Sequence, residues 1–223
     1  MIFFTGTDTG VGKTYVSTVI GKHLKYRENI NVGYLKPIES GGIEDTATLK
    51  DTLNLEEELN VLNPINLKNP LSPNVAFEVE EYNISLKEIK NKIKKSFNLL
   101  SKKYDYLIVE GAGGVAVPIK DHFLMSDLIK FLDIPSVIIS KPNLGTINHT
   151  LLTIEHLRNK GIDVKGVIIN CISKLENVLY YEKTFETIED YGNIEIIGIV
   201  KDYGNYKIDF NKILYNVKIY PKC

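Results

Sequence analysis

The chain has 223 residues, 43% hydrophobic and 25% charged, with a formal net charge of −1. That balance excludes a solvating tail and gives no electrostatic footprint for a polyanion, so no nucleic-acid partner is expected. No apolar run approaches the roughly 20 residues that span a bilayer, and the short apolar start lacks the basic leader of a signal peptide.

A cytoplasmic protein with no membrane partner is the expectation. Cys171 and Cys223 form no metal-ligand spacing and do not suggest a disulfide scaffold. The four histidines (His23, His122, His149 and His156) show no metal pattern either.

Ile2 to Phe4 reads as a buried strand, and Val16, Val19, Ile20 and Leu24 mark one face of a following helix. Between them runs Gly6-Thr-Asp-Thr-Gly-Val-Gly-Lys-Thr14. Strand, Gly-rich loop, Gly-Lys-Thr and helix together make a phosphate-binding loop. Its backbone N–H groups and the helix N-terminus favour an anion. Lys13 adds a positive charge for the terminal phosphates, and Thr14 a hydroxyl for Mg²⁺. The loop is one residue longer than the common spacing, because Thr7 stands where the first glycine is usual and Gly6 lies one position further out.

A second strand over Ile30 to Leu35 stops at Lys36-Pro37, with Pro37 holding Lys36 extended. Glu39-Ser40-Gly41-Gly42 reads as a mobile loop beyond it. A lysine at a strand's C-terminal end is either a site residue, since ligands collect there in parallel sheets, or a surface charge before a turn. Asp45 to Leu53 reads as a short helix, and residues 54–84, with Pro64, Pro70 and Pro73, as connection plus short helical turns. Leu71 to Ala76 reads as a loop entering such a turn. Ser85 to Lys103 is the clearest helix, striped by Leu86, Ile89, Ile93, Phe97 and Leu100. Its lysines (Lys87, Lys90, Lys92, Lys94 and Lys95) read as a solvated face.

Tyr106 to Glu110 is a buried strand ending in a carboxylate, followed by Gly111-Ala-Gly-Gly114. Beside a phosphate loop, such a carboxylate is the second half of a Mg·ATP site. Ser126 is expected to cap a helix through Leu132, before a strand over Ser136 to Ser140. Lys141 to Thr146 then opens a helix that stops at Gly161. This glycine-led start either holds a second anion, such as a carboxylate, or simply reverses the chain. A strand from Gly166 to Asn170, a helix from Glu176 to Asp190 and a last strand from Glu195 to Val200 complete the pattern. Alternating strands and helices predict one α/β domain over residues 1–223, a P-loop NTPase-like parallel sheet of about six strands with helices on both faces.

With these motifs in order, together with Ser72-Pro73 and Leu144-Gly-Thr-Ile-Asn148, the sequence resembles the dethiobiotin synthetase family from its start to about Asn170. The resemblance implies ATP-dependent closure of a ureido ring on 7,8-diaminopelargonate with CO₂ or bicarbonate, yielding dethiobiotin, ADP and phosphate through a carbamate and its phosphorylated anhydride. It implies ATP, or another NTP, held by Gly10, Val11, Gly12, Lys13, Thr14, Tyr15, Glu110, Gly113 and Asn170. It implies Mg²⁺ on Thr14, Asp45 and Glu110. Lys36 would face the carbamate and the transferring phosphoryl group, with Ser40 beside it and Thr9 near the same anions. Gly145, Thr146, Ile147 and Asn148 resemble the family's clamp on the substrate's distant carboxylate, which the partner subunit of a homodimer supplies.

Two positions depart from the family pattern: Asn74 stands where His often follows Ser-Pro, and Ile199-Val-Lys-Asp202 lacks a common proline. The alternative function is a regulatory ATPase of the chromosome-partitioning type, a partner-binding switch. Its members carry a second lysine near the loop's start, where this chain has Thr5-Gly6-Thr7. A third possibility, an amidoligase of the cobyric acid synthase type, needs a glutaminase domain for which this chain has no room.

Overall fold

The computed structural model describes residues 1–171, 178–201 and 205–214. Elements in chain order are β1 (Ile2–Gly6), α1 (Lys13–Lys22), a π-helical turn (His23–Arg27), β2 (Val32–Leu35), β3 (Ile38–Ser40), α2 (Glu44–Thr52), α3 (Leu59–Leu62), β4 (Ile65–Leu67) and α4 (Pro73–Val79). Then come α5 (Leu86–Lys103), β5 (Tyr106–Gly114), β6 (Pro118–Lys120), β7 (Phe123–Leu124), α6 (Met125–Leu132), β8 (Ser136–Ser140), α7 (Thr146–Asn159), β9 (Val164–Asn170), α8 (Val178–Gly192), β10 (Ile196–Val200), β11 (Tyr206–Ile208) and α9 (Phe210–Ile213).

One sheet carries the strands in the order β11-β10-β9-β8-β1-β5-β2. The six expected strands are all in it and all parallel, and β11 adds an antiparallel edge on β10. Every residue of β1 and of β8 is buried. Strands covered on both faces read as continuous apolar runs rather than alternating ones, which is why these segments are legible in sequence. The flanking helices supply the cover: Val16, Val19 and Ile20 of α1 and Ile89, Ile93, Phe97 and Leu100 of α5 are buried. Because the strands are parallel, the C-terminal ends of β1, β2, β8 and β9 open on one edge, and the residues that follow them can meet there.

Several expectations are corrected. Of the loop expected over Glu39 to Gly42, Glu39 and Ser40 instead belong to β3, which pairs in parallel with β4, and Glu39 is buried. Glu110 does not end its strand: β5 continues through Gly114, which pairs with Gly6 after a shift in register. Ser126 does not cap α6. Leu124 precedes the helix, its N–H bonding to the Asp127 carboxylate at 2.8 Å, while Ser126 is buried against His156 Nε2 at 2.8 Å. Lys90 and Lys94 are half-buried, with the Lys90 ammonium 4.2 Å from the Phe123 ring centre. An alkyl stem over an aromatic surface explains why two of the five lysines leave the solvated face.

The Asp45 helix is present as Glu44–Thr52, and Pro73 opens α4 at its first turn. Ser85 caps α5 through a reciprocal pair with Glu88. Of the helix expected over Glu176 to Asp190, positions 176 and 177 lie outside the described residues, as do Asp202 and Cys223. No described helix is long and apolar enough to cross a membrane.

Candidate active site

A cleft of about 580 Å³ opens at the C-terminal edge of the sheet, floored by the phosphate loop and the start of α1. Gly12 precedes α1 with φ 87°, a left-handed turn that no β-branched residue adopts without strain. At Gly6 the constraint is space: a Cβ there would lie 2.7 Å from the Asp8 carbonyl oxygen and 2.8 Å from Val11. The loop therefore folds tightly back over β1, and the Lys13 ammonium reaches the Asp8 carbonyl at 3.3 Å.

Two lysines converge on the cleft from different strands, Lys13 after β1 and Lys36 after β2. Burial, and then repulsion from Lys36, lower the Lys13 ammonium to about 8. Burial also acts to lower Lys36, but Glu110 and Asp45 overcome it and hold that ammonium charged well above the usual lysine range. Lys36 stands 2.6 Å from Glu110 Oε1 and 2.5 Å from Asp45 Oδ2. Asp45 is pushed up by burial, yet the Lys36 ammonium brings it below the usual carboxylate range.

Glu110 is fully buried behind Lys36. Thr14 donates to its Oε1 at 2.9 Å and Ser17 to its Oε2 at 2.7 Å. Ser17 was not foreseen, although it stands three residues after Thr14, the spacing that puts two side chains on one helix face. Glu39 was not foreseen either. Its buried carboxylate accepts from the Asp45 N–H at 2.8 Å, from the Thr46 N–H at 3.3 Å and from the Thr46 hydroxyl, tying down the first turn of α2. A carboxylate suits the N–H groups and positive dipole end of a helix N-terminus.

Thr9, Gly10, Gly12, Tyr15, Ser40 and Gly113 line the cleft. Pro70 to Pro73 form the facing wall. Val11 lies buried under the loop, and its carbonyl accepts from Asn170 Nδ2 at 2.9 Å. The buried Asn170 amide oxygen has no partner among the described residues and remains an acceptor. Gly145, Thr146, Ile147 and Asn148 do not line this cleft. They begin α7, where Leu144 is 96% exposed and the Thr146 hydroxyl is turned inward onto Ser140 at 2.8 Å.

Among the described residues no group of three or more His, Cys, Asp or Glu is placed to hold a metal. Thr14, Asp45 and Glu110 nonetheless suit Mg²⁺, a cation bound through one or two carboxylates together with substrate phosphates rather than in an all-protein cage. All three are hard oxygen donors, and the two carboxylates already close around a cationic group, the Lys36 ammonium.

A family model described as an AAA domain matches residues 1–204. Solved structures with the same fold include the MinD–MinC cell division complex of Aquifex aeolicus, at 19% identity and TM-score 0.55 over 91% of this chain and 81% of that one. A ParA family ATPase of Chlorobium tepidum matches at 16% identity and TM-score 0.51, over 90% and 81%. Identities this low speak for the fold alone.

Curated relatives are far nearer. The chain is 74% identical to the ATP-dependent dethiobiotin synthetase BioD of Methanococcus aeolicus over 96% of its length and 100% of the relative's. It is 68% identical to the enzyme of the same name from Methanocaldococcus jannaschii, over 96% and 100%. The partitioning-ATPase alternative is not favoured. With identity at this level from end to end of its relatives, and with the phosphate loop, Lys36 and Glu110 gathered at one sheet edge, the chain belongs to the ATP-dependent dethiobiotin synthetase family.

Proposed function

We propose that the cleft carries out the ring closure for which its relatives are named, and that the convergence of Lys13, Lys36, Thr14, Asp45 and Glu110 is the machinery. CO₂ adds to one amine of 7,8-diaminopelargonate, which loses a proton and becomes a carbamate. A carbamate oxygen then bonds to the γ-phosphorus of ATP as the bond to ADP breaks. The second amine attacks the carbamoyl carbon and phosphate leaves, with the amine's proton released, giving dethiobiotin.

The chain's part is placement and charge. The loop from Gly10 to Tyr15 and Gly113 cradles the polyphosphate, with backbone N–H groups aimed at its oxygens. Lys13 neutralises charge on the transferring phosphoryl group. Lys36, with Ser40 and Thr9 close to the same anions, orients the carbamate oxygen toward phosphorus. In a low-dielectric cleft such preset charges favour the transition state and need no strong general base. Thr14, Asp45 and Glu110 would hold Mg²⁺, which when bound offsets phosphate charge. Asn170 offers its remaining acceptor to the nucleotide base.

Gly145 to Asn148 would hold the distant carboxylate of the substrate in the cleft of a partner subunit. Their position away from their own chain's cleft supports that reading, as do the exposed Leu144 and, on α7, Leu152. The active form is then a cytoplasmic homodimer of single-domain chains. ADP release from Mg·ATP and bicarbonate, measured with and without 7,8-diaminopelargonate, tests the reaction. Strong stimulation by the diamine and a product of dethiobiotin mass are expected. A slow rate indifferent to the diamine would overturn it.

A further inference from the structure

The Lys36 ammonium stands between two carboxylate oxygens, 2.5 Å from Asp45 Oδ2 and 2.6 Å from Glu110 Oε1. Glu110 is fully buried, and its second oxygen is held by Ser17. Its first oxygen takes the Thr14 hydroxyl and the ammonium, with Lys36 on the side that faces the cleft. A Mg²⁺ ion needs its oxygen ligands at roughly 2.0–2.1 Å. An ammonium still in contact with those same oxygens would then lie against the metal, and like charges at such range repel strongly. The two oxygens serve one cation at a time.

We infer that Lys36 is the placeholder cation of this metal site. It compensates Glu110 and Asp45 until a divalent cation takes their oxygens. The exchange turns its ammonium toward the cleft, where a carbamate and a phosphoryl group would meet it. The inference rests on the assignment of Thr14, Asp45 and Glu110 to the metal, and it adds a second partner for Lys36. Metal entry and presentation of the lysine become one event. Lys13, which lies in the same cleft and also feels both carboxylates, disfavours a second ammonium in the open cleft until an anion arrives.

The consequence has an unusual sign: removing a residue the enzyme needs should improve metal binding. Mn²⁺ binding to nucleotide-free protein, read by electron paramagnetic resonance of the free ion, measures it. Lys36→Met, which keeps the alkyl stem, should bind Mn²⁺ about tenfold or more tightly than wild type, from the charge removed at contact distance. Lys36→Gln serves the same purpose if the methionine variant fails to fold. Lys13→Met removes a nearby charge without vacating the carboxylates and should change the affinity less. Equal or weaker binding in both Lys36 variants, with binding lost in Glu110→Gln, would overturn the placeholder role and leave the metal assignment standing. Wild-type binding in both Glu110→Gln and Asp45→Asn would overturn the metal assignment and the inference with it.

Discussion

Lys36 and Glu110, 74 residues apart in the chain, form a buried ion pair of 2.6 Å between the end of β2 and the body of β5. These two strands are neighbours in the sheet, with Leu35 level with Val109, so the next residue of each meets the other. The ion pair is thus a product of register. A buried charge that loses its partner is destabilising by about 3–5 kcal/mol. Glu110→Ala leaves Lys36 paired with the half-exposed Asp45 at 2.5 Å, so it should lower unfolding stability by less than that, about 1–3 kcal/mol in a urea titration. A loss below about 1 kcal/mol would mean that Asp45 and solvent together compensate the charge.

Glu39 lines the cleft, and its carboxylate holds the first turn of α2. Glu39→Ala strips acceptors from the Asp45 and Thr46 N–H groups and from the Thr46 hydroxyl. Buried donors left unmatched cost about 1–3 kcal/mol, and Asp45 should lose its fixed position beside Lys36. Turnover should fall more than nucleotide affinity, and Glu39→Gln, which keeps an acceptor oxygen, should recover part of it. Comparing thermal melts and steady-state rates of the two variants is the check. Identical behaviour of Ala and Gln would deny Glu39 its role as an acceptor.

Nucleotide binding should take up a proton in mildly alkaline solution. In the free protein Lys13 sits at about 8 through burial and the nearby Lys36. A polyphosphate favours the charged ammonium and raises that value. Affinity is therefore full below about 8 and declines as pH climbs from there toward the bound-state value. Calorimetry at pH about 8.5 in buffers of different ionisation enthalpy should show uptake by the protein. Affinity constant from neutrality to pH about 10 would contradict the assignment of Lys13 to the phosphates.

Asn148 is exposed at the start of α7, outside its own chain's cleft. If it serves a partner's cleft, Asn148→Ala should raise the diamine KM several-fold while the ATP KM stays near wild type, a loss of roughly 1 kcal/mol of binding to the carboxylate. A change confined to the ATP KM would refute the clamp.

The order of strands and helices was legible in the sequence because it rests on local physics. Continuous apolar runs mark strands covered on both faces, and the stripe from Ile89 to Leu100 marks a helix. The loop from Gly6 to Thr14 was legible for the same reason, since steric limits at Gly6 and Gly12 and the charge of Lys13 act within a few residues. What the sequence could not carry are relations between distant segments. That β5 runs on past Glu110 depends on Gly114 finding Gly6. That Glu39 is a buried helix cap depends on β3 pairing with β4 and on α2 turning back over it. That Lys36 meets Glu110 depends on the register of β2 against β5, which periodicity does not encode, and that it meets Asp45 depends on where α2 begins. Composition and spacing determined which chemistry this chain is equipped for, and the parallel sheet decided which charges compensate one another, because electrostatic partners are set by distance in space and not along the chain.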